Sequence, residues 1–429
     1  MEKLFKLKEH GTSVKVEVLA GLTTFMTMAY ILIVNPLILA DAGMDFGAVF
    51  TATALSAGIA TLVMALFANL PFALAPGMGL NAFFAYTVVL GMGYTWEFAL
   101  TAVFLEGIIF LILTAFNVRE AIVNSIPPTI KKAISVGIGL FIAFIGLANA
   151  GIIVANSGTL ISLGEVTKGP GLLAVIGIII TGVFLVFKVR GALLLGIVAT
   201  TIIGFPMGIT HLPAAGSSWA PPSLAPIFFK FDFSHIFSVD MLIILFTFLF
   251  VDMFDTVGTL IGVSTKAGLI DKDGNIPKVK AALFADAIGT TIGACLGTST
   301  VTTYVESASG VAEGGKTGLT AFTAAILFLI ALFLSPLFLM VPSAATAPVL
   351  ILVGLFMISP IKEIDFNDYT EAIPAFLTII MMPLAYSIAE GIMFGMLSFV
   401  ILKVLTGKAK EVHPITYIVG ILFIIKYIM

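Results

Sequence analysis

Two aspartates interrupt an apolar run. The stretch "FVDMFDTVGT", residues 250–259, sets Asp252 and Asp255 inside hydrophobic sequence that extends from about Met241 to about Val263. Three residues apart, they fall on one helix face, separated by about 60°, and Thr256 and Thr259 extend that face. A charge at the centre of a bilayer costs at least ~2.5–3.5 kcal/mol on insertion scales, so a carboxylate there is by default a substrate or proton site. The plainer alternative is a structural pair tied to neighbouring backbone.

A third acid, Glu306, follows the β-branched run "TSTVTTYV" directly. That position is the first turn of a helix entered from an extended strand, where free N–H groups favour an anion. The alternative is a helix cap, and the two can coexist. Ser307 shares this turn. Tyr304, two residues before Glu306, points to the same side of the strand and can offer its ring to a planar ligand; otherwise it is a packed aromatic. Asn81 holds the matching first turn in "LPFALAPGMGLNAFFAY", residues 70–86. Its amide carries both donor and acceptor, which suits a heterocycle edged with N–H and C=O groups. Capping or bridging is the plainer role. Glu106, Asp286 and Glu390 read as structural.

These residues must be positioned within a membrane. Of the 429 residues 59% are hydrophobic and only 10% charged, against about 25% charged in soluble domains; mean hydropathy is +1.16. Apolar runs long enough to cross about 30 Å of hydrocarbon recur along the chain. The net charge of −3 comes with no basic tail and no nucleic-acid footprint. The single cysteine, Cys295, excludes an intrachain disulfide, and the four histidines fall in polar or loop stretches. No cleavage site precedes the first apolar stretch, which reads as an uncleaved helix.

The pattern predicts spans near 17–36, 47–69, 77–91, 97–116, 132–154, 171–188 and 191–208. After the Pro-rich stretch "HLPAAGSSWAPPSLAP", 211–226, further spans fall near 239–263, 279–297, 304–315, 317–340, 344–359, 369–386 and 388–406. A short interfacial helix is expected near the C-terminus. Lys3, Lys6, Lys8, Lys15, Arg119, Lys131, Lys132, Lys188, Arg190, Lys266, Lys272, Lys278, Lys280, Lys403, Lys408 and Lys410 cluster in loops of one side, against Lys168 and Lys230 on the other. Both termini are therefore expected in the cytoplasm. Seven spans per half is odd, so the second half enters the membrane upside down, as an inverted repeat. The third segment of each half, 70–86 and 297–315, reads as a short strand followed by a half-helix. Paired interruptions of this kind point to a transporter's binding site.

Together, "VDMFDTVGTL", "VTTYVESASG" and "APGMGLNAFFAY", with "GLTTFMTMAYILIVNP" at 21–36, resemble the adenine/guanine/hypoxanthine permeases. These form the AzgA-like branch of the nucleobase:cation symporter type 2 (xanthine/uracil permease) families. The similarity covers nearly the whole chain. It implies an all-α membrane protein of 14 segments in two inverted repeats of seven, with short β-strands in segments 3 and 10. The implied organisation is a cytoplasmic N-terminus (1–16), a first repeat (17–210), an external loop (211–238), a second repeat (239–406) and a cytoplasmic tail (407–429). A core domain would comprise roughly 17–118 and 239–340, and a gate domain roughly 132–208 and 344–406. The resemblance places the family's binding carboxylate on Asp252, a second acid on Asp255, the half-helix acid on Glu306 and the segment 3 asparagine on Asn81. It implies proton-coupled import of a purine nucleobase across the cell membrane, and a homodimer through the gate domain.

A carboxylate can accept two N–H groups of a purine with charge-assisted strength. Desolvation favours the protonated form of a buried acid, so such a group can load a proton outside and release it inside. The expected assignment is Asp252, Asn81, Tyr304, Glu306 and Ser307 at the base, with Asp255, Asp252 and Glu306 candidates for the proton, which is the coupling ion in place of any cofactor. An anion carrier of the same architecture, for sulfate or bicarbonate, is the main alternative. Acids at these positions would repel its cargo. A membrane enzyme is disfavoured, because no metal-ligand or nucleophilic set occurs in the sequence.

Overall fold

Inside hydrocarbon the backbone must bond to itself, so long apolar stretches become helices. The computed structural model describes residues 2–116, 127–213, 219–267, 269, 278–414, 416–417, 420–421 and 423–424. Among them nine helices are long and apolar enough to cross a membrane, and three apolar helices are shorter. The chain is a mostly helical, multi-pass membrane protein. Arg119, Lys272, five residues of the Pro-rich loop and much of the expected interfacial helix lie outside the described residues.

α1 (Val14–Met28) and α2 (Ile31–Asp41) are two pieces of one apolar stretch, interrupted at Ala29 and Tyr30. α3 (Phe46–Val63) starts at Asp45, whose carboxylate caps Ala48 N at 2.7 Å. β1 (Leu74–Pro76) leads into α4 (Met78–Ala82), which continues as a π-helix over Phe83–Gly91. α5 (Trp96–Ala115) and α6 (Pro128–Asn149) follow. Next come a hairpin, β2 (Ile153–Asn156) and β3 (Leu160–Leu163), then α7 (Gly169–Val186) and α8 (Ala192–Gly204).

The second half runs through α9 (Val239–Lys266), α10 (Val279–Leu296), β4 (Val301–Thr303) and α11 (Ser307–Ala312). It ends with α12 (Gly318–Ala331), α13 (Ser343–Met357), α14 (Tyr369–Leu384) and α15 (Ile388–Leu405). Tyr94 donates to Asp240 Oδ2 at 2.5 Å and so pins the first turn of α9; that bond pushes the Tyr94 phenol up to about 12.

The helices pack as two sets. α12 lies on α1 and α3, and α10 on α3 and α5; in the other set α13 and α14 lie on α6, α15 on α14, and α7 on α8 and α13. Small residues permit the close crossings, as helices in lipid require. A Cβ on Gly21 of α1 would come 2.5 Å from Thr320 O, and one on Gly139 of α6 would come 2.7 Å from Gly354 O.

Two local features differ from the sequence reading. The expected span 132–154 ends at Asn149, and the chain then turns into the β2–β3 hairpin. Asn156 Oδ1 accepts from Gly158 N at 2.8 Å and Thr159 N at 3.1 Å, an Asx turn that "NSG" encodes. The expected half-helix at 304–315 is helical only over Ser307–Ala312, because the glycines at 314 and 315 end it.

Glu17 was not singled out by sequence, yet it is fully buried. Its carboxylate accepts from Lys316 N at 2.9 Å, Thr317 N and Thr320 N at 3.2 Å, and the Thr320 hydroxyl at 2.6 Å. It thereby caps α12 from across the packing interface. Hydrogen bonds to a charged group are each worth about 1.5–3 kcal/mol. Glu17→Ala should therefore lower the thermal unfolding temperature in detergent clearly more than Glu17→Gln, which keeps one acceptor oxygen. Equal melting of both variants with the parent would remove the cap.

Candidate functional site

The two interrupted segments meet edge to edge. β1 runs antiparallel to β4, with Leu74 opposite Thr303, Ala75 opposite Thr302 and Pro76 opposite Val301. Gly77 N donates to Thr300 O at 2.9 Å, and Tyr304 N to Ala73 O at 3.0 Å, extending the pairing at both ends. Each outer edge is closed by a threonine. The Thr61 hydroxyl of α3 accepts from Leu74 N at 2.9 Å and donates to Leu74 O at 3.1 Å. Thr290 of α10 treats Val301 the same way, at 3.2 and 2.9 Å.

Four expected site residues converge on this crossing. Glu306 stands at the start of α11, but its side chain does not cap that helix; Oε1 instead accepts from the Tyr30 hydroxyl at 2.7 Å. Tyr304 donates its hydroxyl to Pro76 O in a short bond, lashing the end of one strand to the other. Ser307 Oγ accepts from Ala73 N at 3.0 Å, so this oxygen is spent on backbone. Asn81 is fully buried and accepts, through Oδ1, from the Ser299 hydroxyl in a short bond. Its Nδ2, like Thr303 Oγ1, is buried without a hydrogen-bond partner among the described residues.

Asp252 and Asp255 do not share one environment. Asp255 keeps partial exposure, and a Cβ built on Gly77 would lie 3.8 Å from Asp255 Oδ2 and 2.7 Å from Thr302 Cγ2. Only glycine lets the turn after β1 sit against both. Asp255 lies within electrostatic reach of Glu306 and Asp286, and both Asp255 and Glu306 act on the Tyr304 hydroxyl. Asp252 is sealed at 0% exposure. The Thr256 oxygen lies 3.1 Å from Asp252 Oδ1, 2.8 Å from Asp286 Oδ1 and 2.7 Å from Thr302 Oγ1. Asp286, read from sequence as structural, thus joins a buried network behind β4. Glu106, also buried, accepts from Thr300 at 2.5 Å.

At the crossing Asp255 and Glu306 keep partial exposure and offer acceptors, while Asn81, whose amide nitrogen lacks a partner among the described residues, is buried. Such a site suits a small neutral molecule carrying N–H groups. Among the described residues no cluster of three or more His, Cys, Asp and Glu side chains could hold a metal. Tyr30 was missed by the sequence reading; its only local signal is a hydroxyl-bearing ring in the apolar run before Pro36.

The sequence matches the model of the permease family (Xan_ur_permease) over residues 15–394. It is 49% identical over 441 residues to the guanine/hypoxanthine permease PbuG of Bacillus subtilis, covering 100% of this chain and 99% of that one. It is 46% identical over 428 residues to the adenine permease AdeP of Escherichia coli, covering 100% and 96%. In fold it is similar to the transmembrane domain of a cyanobacterium bicarbonate transporter, BicA, with a TM-score of 0.67 at 17% identity, covering 88% of this chain and 97% of that one.

The unequal exposure of the acids has a chemical consequence. A membrane-permeant carbodiimide should modify Asp255 and Glu306 and spare Asp252, as read by mass spectrometry of the labelled peptides. Labelling of Asp252 at the rate of Asp255 would contradict the sealed placement.

Proposed function

The chain belongs to the permease family, and from that premise we propose that it imports purine nucleobases by proton symport with alternating access. The observation that carries this reading is two partly exposed acids, Asp255 and Glu306, beside the strand crossing. A purine of the hypoxanthine type presents N–H donors and a C=O acceptor around a flat ring. The acids accept the N–H groups with charge-assisted strength. The names of the similar permeases support purines as the substrate class.

Asp255, in place of Asp252, takes the base-facing role in this reading, because Asp252 has no exposed surface. The network of Asp252, Thr256 and Asp286 is suited to hold the coupling proton, since Thr256 has one hydrogen to give and two carboxylate oxygens beside it, so a proton on one acid would complete the set. Fourteen segments in two inverted repeats of seven, a cell-membrane location and cytoplasmic termini complete the proposal. The packing of α1–α5 with α9–α12 corresponds to a core, and that of α6–α8 with α13–α15 to a gate. The likeness to an anion transporter concerns the fold alone. An anion would meet the Glu306 carboxylate at the start of a six-residue helix, an unfavourable encounter.

Asp255→Asn should abolish uptake of radiolabelled hypoxanthine at normal membrane abundance, while sulfate uptake stays at background in parent and variant alike. Saturable purine uptake by Asp255→Asn at the parental rate would overturn the assignment. A protonophore at fixed sodium should stop accumulation above equilibrium. Accumulation that survives the protonophore and disappears when sodium is withdrawn would identify a sodium carrier instead.

A further inference from the structure

The interruption between α1 and α2 brings Tyr30 to the site. Ala29 and Tyr30 keep tight helical angles, and Tyr30 O accepts from Ile33 N at 3.0 Å as well as Val34 N at 3.0 Å. The ring is 1% exposed, and the single phenol hydrogen is committed to Glu306 Oε1 at 2.7 Å. Oε1 is therefore held by Tyr30, while no side-chain hydrogen bond among the described residues holds Oε2. We propose that Tyr30 is a positioning residue that sets base specificity by fixing Oε2 of Glu306 as the one oxygen that meets the purine edge. This rests on the purine reading above.

The chemistry follows from counting hydrogens. When Glu306 is charged, Oε2 is an acceptor and fits the N1–H of hypoxanthine or guanine. When Glu306 carries a proton, that proton sits on Oε2, because one on Oε1 would confront the phenol hydrogen. Oε2–H then donates to N1 of adenine, which is an acceptor. The same atom reads either edge according to one proton. The other titratable groups that face Glu306 are Tyr304, at the end of β4, and Asp255, on α9. The Tyr304 hydroxyl is spent on Pro76 O, so Tyr30 supplies the orienting donor. Without it the carboxyl can offer either oxygen in either state, and discrimination between the two edges falls.

The test is equilibrium displacement of radiolabelled hypoxanthine from purified protein by hypoxanthine, guanine and adenine. It is made on the parent, Tyr30→Phe, Glu306→Gln and the double variant. The ratio of hypoxanthine to adenine affinity should move toward unity by about tenfold in Tyr30→Phe, the scale of one hydrogen bond to a charged group. Guanine should follow hypoxanthine. In the Glu306→Gln background, adding Tyr30→Phe should leave the ratio where it is. A common loss for all three bases, or an equal shift with Glu306 already replaced, would overturn the role. Tyr30→3-fluorotyrosine keeps the ring and is a stronger donor. It should widen the ratio, and an unchanged ratio there overturns the role even if Tyr30→Phe does not fold. Absence of purine binding by the parent would instead overturn the purine reading.

Discussion

Non-helical backbone at membrane depth must have every N–H and C=O satisfied by protein, and the architecture around β1 and β4 is organised by that demand. Three residues from each half pair with each other, and the outer edges are closed by Thr61 and Thr290. Each threonine comes from the long helix that precedes the strand in chain order, α3 before β1 and α10 before β4. The two halves solve one problem with one device. The crossing also fixes what can stand beside it. Gly77 has to be bare, Tyr304 is lashed to Pro76, and Ser307 is committed to Ala73.

A consequence is the sorting of acids. Along β4 and the residues before it, hydroxyls at Thr298, Ser299, Thr300 and Thr302 reach Asn35, Asn81, Glu106 and Thr256. The strand is wired into the surrounding helices by its own side chains, and Asp252 and Asp286 are drawn into the sealed network. One turn of α9 further on, Asp255 escapes it and keeps exposure. A three-residue spacing on a helix brings side chains near one another but leaves about 60° between them. Here that angle separates a sealed carboxylate from an open one.

Much of this was legible in the sequence. The apolar runs, the two interrupted segments and the acids within them follow from run length, Pro and Gly placement and β-branched composition. The short strands within these segments were also implied by the resemblance, and their pairing is seen in the structure. What was not legible depends on partners distant in sequence. The Tyr30 to Glu306 bond spans 276 residues, and the Thr320 to Glu17 bond spans 303. No local pattern marks either member, because a tyrosine or glutamate in an apolar stretch looks the same with or without its partner. The unequal exposure of Asp252 and Asp255 was illegible for a related reason. Spacing gives the angle between two side chains on a helix but not its rotation about its axis, which packing against β4 and α10 decides.

The same packing bears on how a carrier of this shape can move. Both strands, Tyr30 and all the acids of the site lie within the set formed by α1–α5 and α9–α12. The other set reaches them through few contacts. Gly79, just past β1, leaves room for Ile138 of α6, whose Cγ2 would lie 2.8 Å from a Cβ there. Arg190, between α7 and α8, pairs with Glu313 beyond α11 at 2.7 Å, and Asn149 at the end of α6 reaches the Tyr86 hydroxyl at 3.4 Å. Arg190 and Glu313 both retain exposure, so breaking their pair costs little, about 0–1 kcal/mol. Dismantling the strand crossing would expose several backbone groups to hydrocarbon at several kcal/mol each. Breaking the Arg190–Glu313 pair thus costs far less than dismantling the strand crossing, which is the rigid part of the site.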